Sequence, residues 1–455
     1  MPLVVMGGIV VVVTLMDVAG RAPAALLAGC AGAYVAGAYG ITRWTVWLGL
    51  RRLMRPAGPA GEPGRAVRLI SVATQVYLVA VLAGLMLAGW GGLINQRLAL
   101  QRIPLLGKAL ALGPFVAALV VHWWAVYPLE RALRLRLRAQ TALNGEAPLP
   151  VWSRRQFVAF NVRHHLLFVA VPAAMIFLAL DLPAALGASA KADMVALVAA
   201  AGVLVMAPTV IVWIWRTRPL PAGTLRQRLD DYCRRIGLTY RQLLVWDTGG
   251  VVVNAGVMGL LRPVRYVLLS DALLGRLDAD AVESVFAHEA GHVIHHHIGY
   301  LVLFTTGVLL VCATASEAAA RALGLPGDWA EGAGLLAAAV AWLPLFGALS
   351  RRFERQADVF AAAAGGDGPD APLTGEGVAR FTNALLAIGR LNGISPRQRN
   401  FRHGSIRRRL DYLLELSAGG CSAADVDATV ARIKVGIWVL LGVGTAAAAL
   451  LTFAK

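Results

Sequence analysis

The sequence predicts an α-helical polytopic membrane protein of about nine spans, carrying a mainly helical polar domain with a small antiparallel β-sheet. Three observations lead there. The chain of 455 residues is 58% hydrophobic and only 15% charged, too apolar for an ordinary soluble protein. Its apolar residues come in blocks close to the ~20 residues that cross a ~30 Å hydrocarbon core. Its basic residues alternate between rich and poor connections.

The candidate spans are residues 3–20, 23–42, 69–94, 107–128, 166–186, 194–215, 300–320, 331–349 and 434–453. Asp17 interrupts the first. No Lys or Arg precedes that run and Arg21 follows it, so it reads as a membrane helix rather than a signal peptide. Arg43, Arg51, Arg52, Arg55, Arg65 and Arg68 fill the second connection. Arg131, Arg134, Arg136, Arg138, Arg154, Arg155 and Arg163 fill the fourth, and Arg216, Arg218, Arg226 and Arg228 follow the sixth span. The connections between them carry only Arg97 and Arg102, or Lys191. This is the positive-inside pattern of a multi-pass inner-membrane protein, with the basic side in the cytoplasm. It explains the net charge of +17 by topology and contact with the lipid bilayer, without a nucleic-acid partner. Cys30, Cys233, Cys312 and Cys421 show no C-x-x-C spacing, which implies neither a disulfide framework nor a thiolate metal site.

The blocks divide the chain. Residues 1–216 form an N-terminal membrane domain of about six spans. Residues 217–299 are a first polar part, 300–349 a two-span hairpin, 350–432 a second polar part and 433–455 a last span. The hairpin returns the chain to the side it left, so both polar parts share the cytoplasmic face. In the first part, 224–236 reads as an amphipathic helix, and 242–246, 251–258 and 265–270 as short antiparallel strands rich in Val and Leu. Asp280 with Glu283 reads as a capping box opening the next helix. In the second part, 365–375 reads as a loop, and 378–391 and 406–416 as helices.

That next helix carries His288-Glu289-Ala290-Gly291-His292, an H-E-x-x-H pentapeptide. Residues four apart share a helix face, so both imidazoles can reach one cation, and Glu289 beside them is placed to deprotonate a water. This is the arrangement of a zinc hydrolase that cuts peptide bonds. A catalytic zinc keeps one position for water, so a third protein ligand is needed. The extension H-E-x-x-H-x-x-G-x-x-H does not supply it: His295 stands at its glycine and Ile298 at its last histidine. A later glutamate can. Glu354 and Asp358 stand four apart on one predicted helix face just past the eighth span, so Glu354 can ligate while Asp358 accepts an N–H from a ligating imidazole. The other reading is a solvated acid pair balancing Arg351, Arg352 and Arg355; the pentapeptide on the same membrane side favours the ligand.

These residues resemble the membrane-embedded zinc metalloproteases that comprise the HtpX heat-shock proteases and the type I CAAX prenyl proteases. The resemblance covers about 224–416 and rests on Asn254-Ala255, the segment 266–274, Val285-Phe286-Ala287 ahead of the pentapeptide, Glu354-x-x-x-Asp358, and His403 followed by Arg409. It implies a zincin-like protease domain with one Zn2+ per chain held by His288, His292 and Glu354. It implies Asp358 behind a ligand, Glu289 as general base, His403 and Arg409 stabilising the tetrahedral intermediate, and Asn254 and Ala255 at the substrate strand. Gly404 departs from the family's usual proline after His403. The six preceding spans and the last one exceed the four-span HtpX pattern.

The expected function is a zinc-dependent endopeptidase acting on polypeptides, chiefly membrane or membrane-proximal proteins, at the cytoplasmic face, in quality control as the resemblance implies. Two alternatives stand beside it: a CAAX-type or peptide-maturation protease, and a non-catalytic scaffold or transporter with a relic protease domain. His296 continues the four-residue ladder, but that ladder rises ~6 Å per step, so one ion does not take it together with His288 and His292. His295, His296 and His297 are therefore read as interfacial. His122, His164 and His165 are read likewise, and Asp17 and Asp181 are placed at headgroups near span ends.

Overall fold

Helices build most of the chain, which divides into two units, Met1–Thr217 and Arg218–Lys455, in the computed structural model. All residues are described except 19, 21, 55–62, 101, 102, 104, 186–191, 326, 365–372, 420–422 and 454–455. Arg55, Arg102, Lys191, Cys421 and most of the loop expected at 365–375 thus lie outside the described residues.

The first unit contains α1 (Pro2–Leu15), α2 (Ala24–Leu53), α3 (Pro63–Leu87), α4 (Trp90–Gly92, continued by a π turn, Leu93–Arg97), α5 (Leu106–Leu143), α6 (Arg154–Asn161), a π turn (Val162–Leu167), α7 (Phe168–Ala185) and α8 (Ala192–Ile214). Its core interlocks Val5 and Val12 of α1, Leu78 and Leu82 of α3, and Phe115, Leu119 and Trp123 of α5. Two of the histidines expected at the interface are buried here instead. His122 Nδ1 lies 2.8 Å from Thr42 Oγ1, and His164 Nδ1 lies 2.8 Å from the Phe160 carbonyl. Each ring has found an internal hydrogen-bond partner, which removes the need for a headgroup. Asp17 accepts from Asn95, and Asp181 pairs with Lys108.

The second unit begins with β1 (Thr217–Pro219, starting at the boundary), α9 (Thr224–Arg235), β2 (Gln242–Trp246), β3 (Ala255–Met258), β4 (Tyr266–Ser270) and α10 (Asp271–Arg276). There follow α11 (Ala279–Ile294), α12 (His297–Leu323), α13 (Gly327–Ala363), α14 (Gly375–Leu391), α15 (Ile406–Ala418) and α16 (Ala423–Phe453). The sheet is mixed, not antiparallel as expected: its order is β1-β2-β4-β3, with β2 parallel and β3 antiparallel to β4. The reason is burial. All five residues of β4 are buried, so β4 takes the central place and needs a partner on each side. The 247–254 connection carries the chain past it. Asp271 clamps that connection by accepting from the N–H groups of Thr248 and Gly250. Alternation of apolar residues marks a strand but not its direction.

Six helices are long and apolar enough to cross a membrane: Ala24–Leu53, Leu106–Leu143, Arg154–Asp181, His297–Leu323, Gly332–Ala363 and Val426–Phe453. A pair bent by 59°, Val72–Leu87 with Trp90–Arg97, makes a seventh if counted as one span. The expected nine therefore reduces to six or seven among the described residues. The block at 3–20 yields a shorter apolar helix, Leu3–Leu15, which at ~1.5 Å per residue falls short of ~30 Å. The block at 194–215 falls on α8, whose apolar stretch Val205–Ile214 is described throughout.

In the second unit α12, α13 and α16 pack around Phe304, Val308, Leu349, Phe353, Val430 and Ile437. Leu336, Val340, Val302 and Val439 point outward, as lipid-facing residues do. Helix α13 does not stop where its apolar stretch ends. It runs unbroken from the span through Glu354 and Asp358, which fixes both acids to a rigid rod.

Candidate metal centre

Helix α11 starts at Asp278, whose carboxylate accepts from Ala281 N–H at 2.7 Å. The cap is thus two residues earlier than the capping box expected at Asp280. Asp280 and Glu283 instead face α9 and α14, paired with Arg228 and, for Asp280, with Arg380. These ion pairs hold α11 against its neighbours while its other face carries His288, Glu289 and His292. Gly291 sets the approach to α13: a Cβ there would lie 3.1 Å from Phe360 Cδ1 and 3.3 Å from Ala357 Cα. Without a side chain at this point, the two helices close until the histidines meet the acids of α13.

The outcome is a set of three donors. His288 Nε2 is 3.3 Å from His292 Nε2 and 3.5 Å from Glu354 Oε2, and His292 Nε2 is 3.6 Å from Glu354 Oε1. A tetrahedron with ligands at ~2.1 Å from its centre has edges of ~3.4 Å, so these separations are those of a zinc site's protein face. The ligand atoms of His288, His292 and Glu354 all lie within 4.8 Å of one another, the one such group among the described residues. Glu354 Oε2 is buried and has no hydrogen-bond partner among the described residues, which fits an oxygen that belongs to a cation.

The surroundings orient these donors. Asp358 Oδ1 lies 3.0 Å from His288 Nδ1, turning Nε2 into the site. Arg409, on α15, donates to Asp358 from Nε at 2.8 Å and from Nη2 at 2.5 Å. Burial disfavours charge on His288, but Asp358 and Glu354 outweigh it and push its pKa up to about 10. A pocket that holds a proton so firmly on an imidazole favours positive charge at that place. Burial, then the charge on His288, pushes His292 down to about 3, which leaves its lone pair available. Burial raises Glu289 above the ordinary glutamate value, towards that of a working general base.

His403 sits on a turn closed by Asn400 and Gly404, which exchange backbone hydrogen bonds of 2.7 and 3.0 Å. Gly404 has φ of 75°, in the left-handed region closed to proline, so the sequence's departure from proline is built into this turn. The turn brings His403 Nδ1 to 2.7 Å from Glu354 Oε1. Arg409 spends Nε and Nη2 on Asp358, and its Nη1 lies 3.9 Å from Glu354 Oε2. Glu289, His292, Glu354 and His403 line a cavity of about 160 Å³ together with Val257 of β3. Strand β3 is an edge of the sheet and packs beside α11. Asn254 lies just before β3, exchanging hydrogen bonds of 3.0 Å with Ser270, and Ala255 is buried within it. The β3 residue that reaches the cavity is Val257.

The histidine run departs most from its expected interfacial place. His296 is left-handed, with φ of 58°, and separates α11 from α12. His297 is therefore not at an interface: it is 1% exposed, stacked on Phe353 with ring centres 4.3 Å apart, and its Nδ1 lies 2.8 Å from His292 Nδ1. The sequence signal was the bare presence of three successive histidines, and the four-residue ladder pointed to the wrong one.

Residues 219–383 match the profile of Peptidase family M48. The chain is 34% identical over 125 residues to a protease HtpX homolog of Aeropyrum pernix, a match that takes in 26% of this chain and 39% of that relative's length. The fold is similar to the crystal structure of S. mikatae Ste24p, with a TM-score of 0.53 and 15% identity over 87% of this chain and 99% of that one. Residues 219–383 are thus similar to peptidase family M48, within a multi-pass membrane chain whose fold is similar to that of Ste24p.

Proposed function

We propose that this chain is a zinc-dependent endopeptidase that hydrolyses membrane or membrane-proximal polypeptides at the cytoplasmic face of the inner membrane. The observation that carries the reading is the triangle of His288, His292 and Glu354 donors at 3.3–3.6 Å, with Glu289 in the same cavity. These three residues would hold one zinc ion, which would supply Lewis-acid activation of a water and of the scissile carbonyl.

The chain's own residues do the rest. Glu289 accepts a proton from the attacking water and passes it to the departing amine nitrogen. Asp358 fixes the His288 ring, and Arg409 fixes Asp358; Arg409 is thus a positioning residue. His403 stands at the cavity mouth, 45% exposed, where its ring N–H can donate to the developing oxyanion. The substrate lies extended along the free edge of β3, pairing backbone to backbone, which tolerates varied sequence. The basic connections support the cytoplasmic placement.

Zinc analysis of the purified protein, with casein digestion in the presence and absence of a chelator, tests this. One zinc per chain and chelator-sensitive cleavage are expected. Metal-free protein, or cleavage indifferent to chelation, contradicts the proposal.

A further inference from the structure

The ring of His292 is the near end of a hydrogen-bond chain that leaves the metal centre. His292 Nδ1 lies 2.8 Å from His297 Nδ1, His297 Nε2 lies 2.8 Å from Gln356 Oε1, and Gln356 Nε2 donates to Asp427 Oδ1 at 2.6 Å. The four residues come from α11, α12, α13 and α16, and the last of these helices lies beyond the segment matched to the family.

Donor and acceptor roles along this chain are determined from its outer end. A carboxylate only accepts, so the Gln356 amide turns its NH2 to Asp427 and its oxygen to His297. His297 Nε2 must then carry the proton. In the neutral ring its Nδ1 is an acceptor, so His292 donates from Nδ1 and keeps its lone pair on Nε2. Nε2 is the atom that faces His288 and Glu354. Read from the surface inward, the chain selects the one His292 tautomer able to ligate a cation. Packing fixes it as well: His297 is stacked on Phe353 with planes only 6° apart, and Gln356 is 3% exposed. Helix α16 grips the same corner a second time, through Lys434 Nζ, which donates to the His295 carbonyl at 2.8 Å.

We infer that His297, Gln356 and Asp427 are positioning residues for the ligand His292, and that they make the C-terminal helix α16 part of the metal centre. The inference rests on the zinc-site reading above. Buried polar groups among membrane helices are costly unless each has a partner, and here each does. The arrangement is an extended form of the carboxylate–histidine–metal contact, with a second imidazole and an amide between carboxylate and ligand.

The test is Co2+ binding to the full chain in detergent, read by chelator competition and by the visible d–d spectrum. His297→Phe keeps the stack on Phe353 and removes the acceptor; Gln356→Met keeps length and removes the amide. Each is expected to lower Co2+ affinity about 10–100-fold and to shift the d–d bands. Gln356→Glu, which still accepts from His297, holds the affinity at or above wild type, a contrast that packing alone does not produce. Asp427→Ala, at an exposed position, lowers affinity by less than His297→Phe does and carries the test if a buried variant misfolds. Wild-type affinity and spectrum in His297→Phe, Gln356→Met or Asp427→Ala overturn the inference. Wild-type protein that binds no Co2+, or binds it undisturbed by Glu354→Ala, overturns the metal-site reading instead.

Discussion

Asp358 and Arg409 form a closed pair behind the metal centre: two hydrogen bonds join them, and their side chains are 0% and 11% exposed. The same Asp358 holds His288 at 3.0 Å. One carboxylate therefore touches both Arg409 of α15 and the imidazole of the proposed ligand His288. Asp358→Ala is expected to lower metal affinity about 10–100-fold. It also leaves Arg409 buried without its partner, a loss of about 3–5 kcal/mol. Chelator competition and chemical denaturation measure the two effects. A variant with wild-type affinity shows that Asp358 serves only as a packing anchor.

Glu289 lines the same cavity as His292 and Glu354 without belonging to the donor triangle. Glu289→Ala is expected to retain one metal per chain and to lose about 10²–10⁴ in cleavage rate. Metal analysis beside peptide hydrolysis checks this, and substantial proteolysis by the variant removes the general-base assignment.

Burial raises the Glu289 pKa, so the carboxylate is already protonated at pH values where an ordinary glutamate still ionises. A protonated Glu289 cannot accept from water. The acid limb of kcat/KM is therefore expected above the ordinary glutamate range, with activity falling as pH drops through it. A profile flat down to the ordinary range contradicts the assignment of that limb.

His403 reaches the cavity only through the turn that Gly404 permits. His403→Ala is expected to cut kcat about 10²–10³-fold with metal content unchanged. Gly404→Pro, which cannot adopt φ of 75°, is expected to reproduce that loss. Metal analysis and steady-state kinetics check both. Depleted metal in His403→Ala would make it a ligand rather than an oxyanion donor.

Cys233 on α9 is 2% exposed, and burial pushes its thiol up to about 12. The thiolate is the reactive form, so native protein at pH 8 is expected to resist iodoacetamide at this residue until denatured. Peptide mass analysis reads the modification. Rapid labelling of native protein contradicts the packing of α9 on α11.

The donors of the site were legible because helix geometry turns sequence spacing into direction. His288 and His292, like Glu354 and Asp358, stand four apart, and a single helical turn suffices to aim each pair. The direction of β2 relative to β4 was not legible, because alternation carries no sign and the 247–254 crossing depends on Asp271. His297 was hidden for a related reason. Extending the ladder past Ile294 assumes an unbroken helix, and the left-handed His296 breaks it. The span count suffered from length: the block at 3–20 loses its last residues to a turn before Asp17. Its helix ends at Leu15.

In the proposed site, an oxygen from α13 completes a cation-binding set begun by two imidazoles of α11. Zinc stoichiometry of purified wild type beside Glu354→Ala tests it most directly. One zinc per wild-type chain and a marked deficit in the variant are expected. Equal zinc in both proteins would show that Glu354 is not a ligand.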